Sequence, residues 1–171
     1  IAVRENVVYV GTIGQGLWVS HDFGKSFTNL IPEGTVSAAD WIGDTPWFGW
    51  VDGRITKGES QTLECTLPKA VPTAISRVAG QIYAFADEEA RPYFDIFRCE
   101  ADGTASAVRP AVRDPDQTSF SPTGLWPVDA DRALVGTFRS GPFLLDATGL
   151  RAARTGFRAT IGAAAAARDE E

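Results

Sequence analysis

The two ends of this chain match each other without a gap, and that match restricts the fold more than any other feature. Residues 7–27 read VVYVGTIGQGLWVSHDFGKSF, and residues 132–152 read RALVGTFRSGPFLLDATGLRA. A shift of 125 residues places Val10-Gly11-Thr12 on Val135-Gly136-Thr137, Gly16 on Gly141, Trp18 on Phe143, Val19 on Leu144 and Gly24 on Gly149. Each copy is an apolar strand ending in Gly-Thr, a glycine turn, a second apolar strand and a tight turn closed by glycine. A chain that repeats such a unit builds its core by stacking copies.

Dividing that offset into three steps gives about 42 residues, the length of one four-stranded propeller blade. Two weaker copies are expected between the strong ones. TPWFGWVDGRITKG (45–58) has two strands about an Asp52-Gly53 turn, and QIYAFADEEARPYFDIFRCEADG (81–103) has two strands, a polar loop and an Asp102-Gly103 turn. Asp-Gly pairs between alternating runs are hairpin signals. VSAADWIGD, PTAISRVAG and FSPTGLWPVD precede the later copies as inner strands, and residues 1–5 read as the tail of another. The pattern predicts an all-β chain: a β-propeller of about four four-stranded antiparallel blades over residues 1–162, then an Ala-rich acidic tail over 163–171. A two-sheet sandwich with coincident hairpins is the alternative. The chain opens on Ile1 and contains no Met, so preceding sequence and a larger ring are expected.

Ser20-His21-Asp22-Phe23-Gly24-Lys25-Ser26-Phe27 resembles the Asp-box hairpin of BNR-repeat propellers, S-x-D-x-G-x-[ST]-[WF]. An Asp carboxylate accepts hydrogen bonds from backbone N–H groups further along a tight turn, and glycine supplies its positive φ. Ser20, Asp22, Gly24 and Phe27 are therefore read as structural, with Phe27 as a hydrophobic plug beneath the hairpin. Asp146 and Gly149 form a degenerate second box. The resemblance implies a propeller of the sialidase-like, sortilin-like or assembly-factor-like kind, with the box on the outer blade edge and a secreted or periplasmic setting compatible. It implies fold more than function.

Composition removes several function classes. The net charge of −6 and pI near 4.8 oppose a duplex nucleic-acid binder. No apolar run is long enough for a membrane span. A single histidine, His21, leaves no multi-histidine metal site; no metal or cofactor is expected. Cys65 and Cys99 are read as two buried thiols, with a disulfide as the alternative.

Loops on rigid scaffolds carry function, and a propeller gathers its second-to-third-strand loops on the face around its axis. On that face the ligand- or partner-binding candidates are Asp52, Glu89, Arg91 and Arg139. Trp41 and Trp50, in the aromatic-rich stretch with Trp47 and Phe48, are candidates for a stacking platform. The expected function is a binding or scaffolding module for a polar ligand or protein partner. A glycoside hydrolase acting on carbohydrate through two opposed carboxylates is the alternative.

Overall fold

The computed structural model describes residues 1–88, 94–110, 120–138 and 141–153, and these form four antiparallel four-stranded sheets. The first contains β1 (Ala2–Arg4), β2 (Val7–Gly11), β3 (Leu17–Ser20) and β4 (Thr28–Ile31). The second contains β5 (Val36–Ile42), β6 (Thr45–Trp50), β7 (Arg54–Lys57) and β8 (Thr62–Thr66). The third contains β9 (Ala70–Val78), β10 (Gln81–Glu88), β11 (Phe94–Cys99) and β12 (Ala105–Ala107). The fourth contains β13 (Pro122–Pro127), β14 (Ala133–Thr137), β15 (Phe143–Asp146) and β16 (Gly149–Ala152). Strands in each sheet follow chain order, so each is an up-and-down meander, the blade of a β-propeller. The tail over 163–171 lies outside the described residues.

The end-to-end match holds partner for partner in the central hairpins, though not at the outer strand, where Trp18 pairs with Asn29 but Phe143 with Ala152. Val8, Tyr9 and Val10 pair with Ser20, Val19 and Trp18 in the first blade. At the same offset, Ala133, Leu134 and Val135 pair with Leu145, Leu144 and Phe143 in the fourth. The turns repeat as well: Thr12 Oγ1 donates to the Gly16 carbonyl at 2.8 Å, and Thr137 Oγ1 to the Gly141 carbonyl at 2.6 Å. Both glycines have positive φ, 69° and 76°.

The inner strands of the second, third and fourth blades share a bulge, so that Ser37, Thr73 and Thr123 are each skipped in the pairing. The Ser37 hydroxyl donates to the Pro72 carbonyl of the third blade at 2.6 Å, tying two inner strands together. The bulges mark one equivalent position in the three blades, although its spacing in sequence is unequal.

Blades stack face to face, and three apolar cores lie between them. One position on the second strand recurs in each core. Tyr9 packs on Trp41 and Phe48 of the second blade, with ring centroids 5.6 and 5.2 Å apart. Trp47 enters the core with Ile75, Ile82 and Ala84, and Tyr83 the core with Leu125 and Val135. Covering a blade on both faces turns strict alternation into continuous burial, as in β6, where five successive residues are buried.

Cys65 on β8 and Cys99 on β11 form a disulfide with Cα atoms 5.5 Å apart. This corrects the reading of two thiols. Both residues are buried, but they belong to facing strands of different blades, a proximity their separation of 34 residues does not reveal. The bond joins the second blade to the third.

Candidate functional site

The second-to-third-strand loops and the linkers between blades meet on one face. The Gly16 N–H donates to the Gly34 carbonyl, Val36 N–H to Thr12, Val51 N–H to Thr35, Leu67 N–H to Gly53 and Phe138 N–H to Ser121. This is the axial face. Each blade places an exposed apolar side chain there or at its rim: Ile13, Val51, Phe94 and Phe138. Ile13 is 90% exposed, more than any other large apolar residue described. None of the four was selected from the sequence: Ile13, Val51 and Phe138 are isolated loop residues with no periodic signal, and Phe94 opens β11, where it stacks on Phe85 at 4.8 Å. The common position of Ile13, Val51 and Phe138 appears only when the blades are aligned through their strand pairing.

Asp52 lies on this face, where its carboxylate accepts from the Arg54 backbone N–H at 3.2 Å and from Arg54 Nε at 2.7 Å. The Arg54 guanidinium lies 5.1 Å from the Trp50 ring centroid. Trp50 itself is only 2% exposed. Its indole N–H donates to Thr56 Oγ1 at 2.9 Å, which donates onward to Gln61 Oε1 at 2.7 Å. Trp50 therefore presents no open ring to a ligand; it is core, held by a polar chain. Trp41 is half-buried at the opposite end of the blade, between the Tyr9 ring and Arg4, whose guanidinium lies 5.5 Å from its centroid. The two tryptophans do not share a surface. Glu89, Arg91 and Arg139 lie in the β10–β11 and β14–β15 connections, outside the described residues.

The Ser20–Phe27 turn lies at the β3–β4 end, away from the axial loops. Ser20 Oγ donates to Asp22 Oδ1 at 2.7 Å and accepts from the Gly24 N–H at 2.9 Å. Asp22 accepts the Ser26 hydroxyl at 2.6 Å and the Ser26 N–H at 2.9 Å. These donors, the Ser26 and Ser20 hydroxyls above all, hold the Asp22 carboxyl well below the usual carboxylate range. Phe27 is 41% exposed and leans on the Gly24 turn from outside. It covers the turn and is not buried beneath it, because the blade interior is already filled by Leu17 and Val19. Asp146, in the fourth blade, binds the Thr148 hydroxyl and N–H and the Arg151 guanidinium, which bring its carboxyl down to about 2.

A groove of about 390 Å³ opens between the second and third blades on the face opposite the axial loops, lined in part by Trp47, Lys57, Glu64, Arg77 and Ile82. Lys57 Nζ binds Glu64 Oε2 at 2.7 Å and lies 5.5 Å from the Trp47 centroid. This surface needs loops from two blades, so no single sequence segment marks it. Nearby, Glu59 accepts the Tyr9 hydroxyl at 2.7 Å and lies 3.7 Å from His21 Nε2. Burial first, and Glu59 second, push the Tyr9 hydroxyl above its ordinary value. Among the described residues no three His, Cys, Asp or Glu side chains are grouped to hold a metal, and no helix is long and apolar enough to cross a membrane.

No family model and no curated protein matches the sequence. Among solved structures, the computationally designed Ika8 protein superposes with a TM-score of 0.52 at 14% identity, over 84% of this chain and 44% of Ika8. The chain thus spans less than half the length of that structure. YCF48 bound to D1 peptide is matched with a TM-score of 0.38 at 11% identity, over 88% of this chain and 65% of that one. The likeness to Ika8 is one of fold.

Proposed function

We propose that this chain is a binding or scaffolding module whose axial face receives a protein partner. One observation carries the reading: Ile13, Val51 and Phe138 follow the second strand at the equivalent position of three blades, and all three are exposed. Apolar side chains exposed at a repeated position on one face suit contact with a protein partner. The Asp52–Arg54 pair supplies a polar margin, and Glu89, Arg91 and Arg139 belong to the same loops in sequence. In this reading the blades are of the Asp-box type, with the Ser20–Phe27 turn serving the fold. The glycoside-hydrolase alternative needs two opposed carboxylates, whereas Asp52 is already engaged by Arg54.

The test compares capture of partners from the native extract by the unmodified chain and by Ile13→Ser/Val51→Ser/Phe138→Ser. All three side chains are exposed, so each change should move stability by no more than about 0.5 kcal/mol. Specific capture should disappear with the triple variant and persist with Phe27→Ser on the outer edge. The reverse pattern would place the working surface on the edge.

A further inference from the structure

The groove between the second and third blades is lined by more cationic than anionic charge, on a chain whose net charge is −6. Lys57 and Arg77 face it against the single carboxylate of Glu64. Lys57 is already compensated: its Nζ holds Glu64 Oε2 at 2.7 Å and lies over the Trp47 ring. Arg77, exposed on β9 of the third blade, has no hydrogen-bonding or ionic partner among the described residues. The groove therefore contains one guanidinium that nothing neutralises.

Its floor is apolar. Trp47 and Ile82 belong to the core between these blades, and Ile42 packs against that core. Ser60 and Thr62, whose hydroxyls lie 3.1 Å apart, add polar groups from the β7–β8 turn. The rim is open at Gly80, where a Cβ would meet no atom within 4 Å. A covalent bond joins the two walls, because Cys65, the neighbour of Glu64, is bonded to Cys99 of the third blade. A volume of about 390 Å³ lies in the range of preformed small-ligand sites.

We infer that this groove binds a ligand with one carboxylate and an apolar body, and that the C-terminal residue of a peptide supplies both. The planar guanidinium of Arg77 matches a carboxylate through two parallel hydrogen bonds. One uncompensated cation suits a single negative charge, whereas a phosphate dianion would keep half its charge unpaired. The apolar side chain of such a residue lies over the Trp47–Ile82 floor, and its amide meets the Ser60 and Thr62 hydroxyls. The site is on the face opposite the axial loops, so it stands or falls independently of partner capture there.

N-acetylleucine carries all three features, and the amide resonances of Gly58 and Gly80, both in the groove, report its binding by NMR titration. Saturable shifts are expected at both. N-acetylleucine amide, which lacks the charge, and 4-methylpentanoate, which lacks the peptide group, should each bind more weakly. Arg77→Gln should weaken N-acetylleucine about tenfold or more, the worth of a hydrogen bond to a charged group. Glu64→Gln, which releases Lys57, should tighten it, and Thr62→Trp should block it. Arg77 and Thr62 are exposed, so those two variants should melt with the unmodified protein. Equal binding of 4-methylpentanoate would keep the carboxylate site and overturn the peptide as its source. The whole inference would be overturned by absent shifts at about 10 mM N-acetylleucine, by equal binding of its amide, or by indifference to Arg77→Gln.

Discussion

At the scale of single residues, the turns depend on a few oxygens and glycines. Ser20 is buried and joins Asp22 to the Gly24 N–H, so Ser20→Ala leaves polar groups unsatisfied. The expected cost is about 1–3 kcal/mol in chemical denaturation, with no change in partner affinity for the folded protein. Gly16 is stricter. Its φ is 69°, and a Cβ there would lie 1.9 Å from the Ile31 carbonyl oxygen. Gly16→Ala should therefore cost more than about 2 kcal/mol, beyond the usual loss for a point change. Asp22 and Asp146 link stability to pH. Their carboxyls are depressed in the folded state, so their contribution is present above the unfolded value near 4 and lost as pH falls through the folded values. Thermal melts should hold steady from pH 7 to about 5 on this account, then fall through pH 4 to 2. Asp146→Asn should flatten part of that acid limb; an unaltered limb would show that the Thr148 and Arg151 contacts do not persist in solution.

At the scale of strands and blades, the disulfide is the main covalent constraint. Closing the loop between Cys65 and Cys99, 34 residues apart, is worth at most about 4 kcal/mol by chain entropy. Cys65→Ser/Cys99→Ser should lose most of that in denaturant midpoint, and reductant should lower the unmodified protein to the same level. Hairpins were legible in the sequence where glycine and Asp-Gly turns punctuate apolar runs, as at Gly16, Gly53 and Gly141. The β2–β3 and β14–β15 hairpins were legible to the residue because their registers are identical. What stayed hidden lies between blades: the Cys65–Cys99 bond, the burial of Trp50 and the inter-blade groove. Each joins segments whose proximity is set by stacking, and stacking leaves no local periodicity. Trp50 in particular reads as a possible ligand platform until its partners Thr56 and Gln61 are known.

At the scale of the whole molecule, rigidity and display are separated. Blade faces hold the cores, outer turns hold the blades, and the axial loops present Ile13, Val51 and Phe138 to solvent. That division makes surface changes cheap on the axial face and expensive in the interfaces. It also explains why the proposed contact residues were the least legible. A core position is marked by a repeated apolar pattern, whereas Ile13, Val51 and Phe138 are ordinary loop residues until the blades are aligned. The most direct measurement is hydrogen exchange by mass spectrometry on the chain with and without its captured partner. The account predicts slowed exchange at residues 12–16, 51–54 and 137–142, with the Ser20–Phe27 turn unaffected. Protection confined to that turn, with the axial loops unchanged, would contradict it.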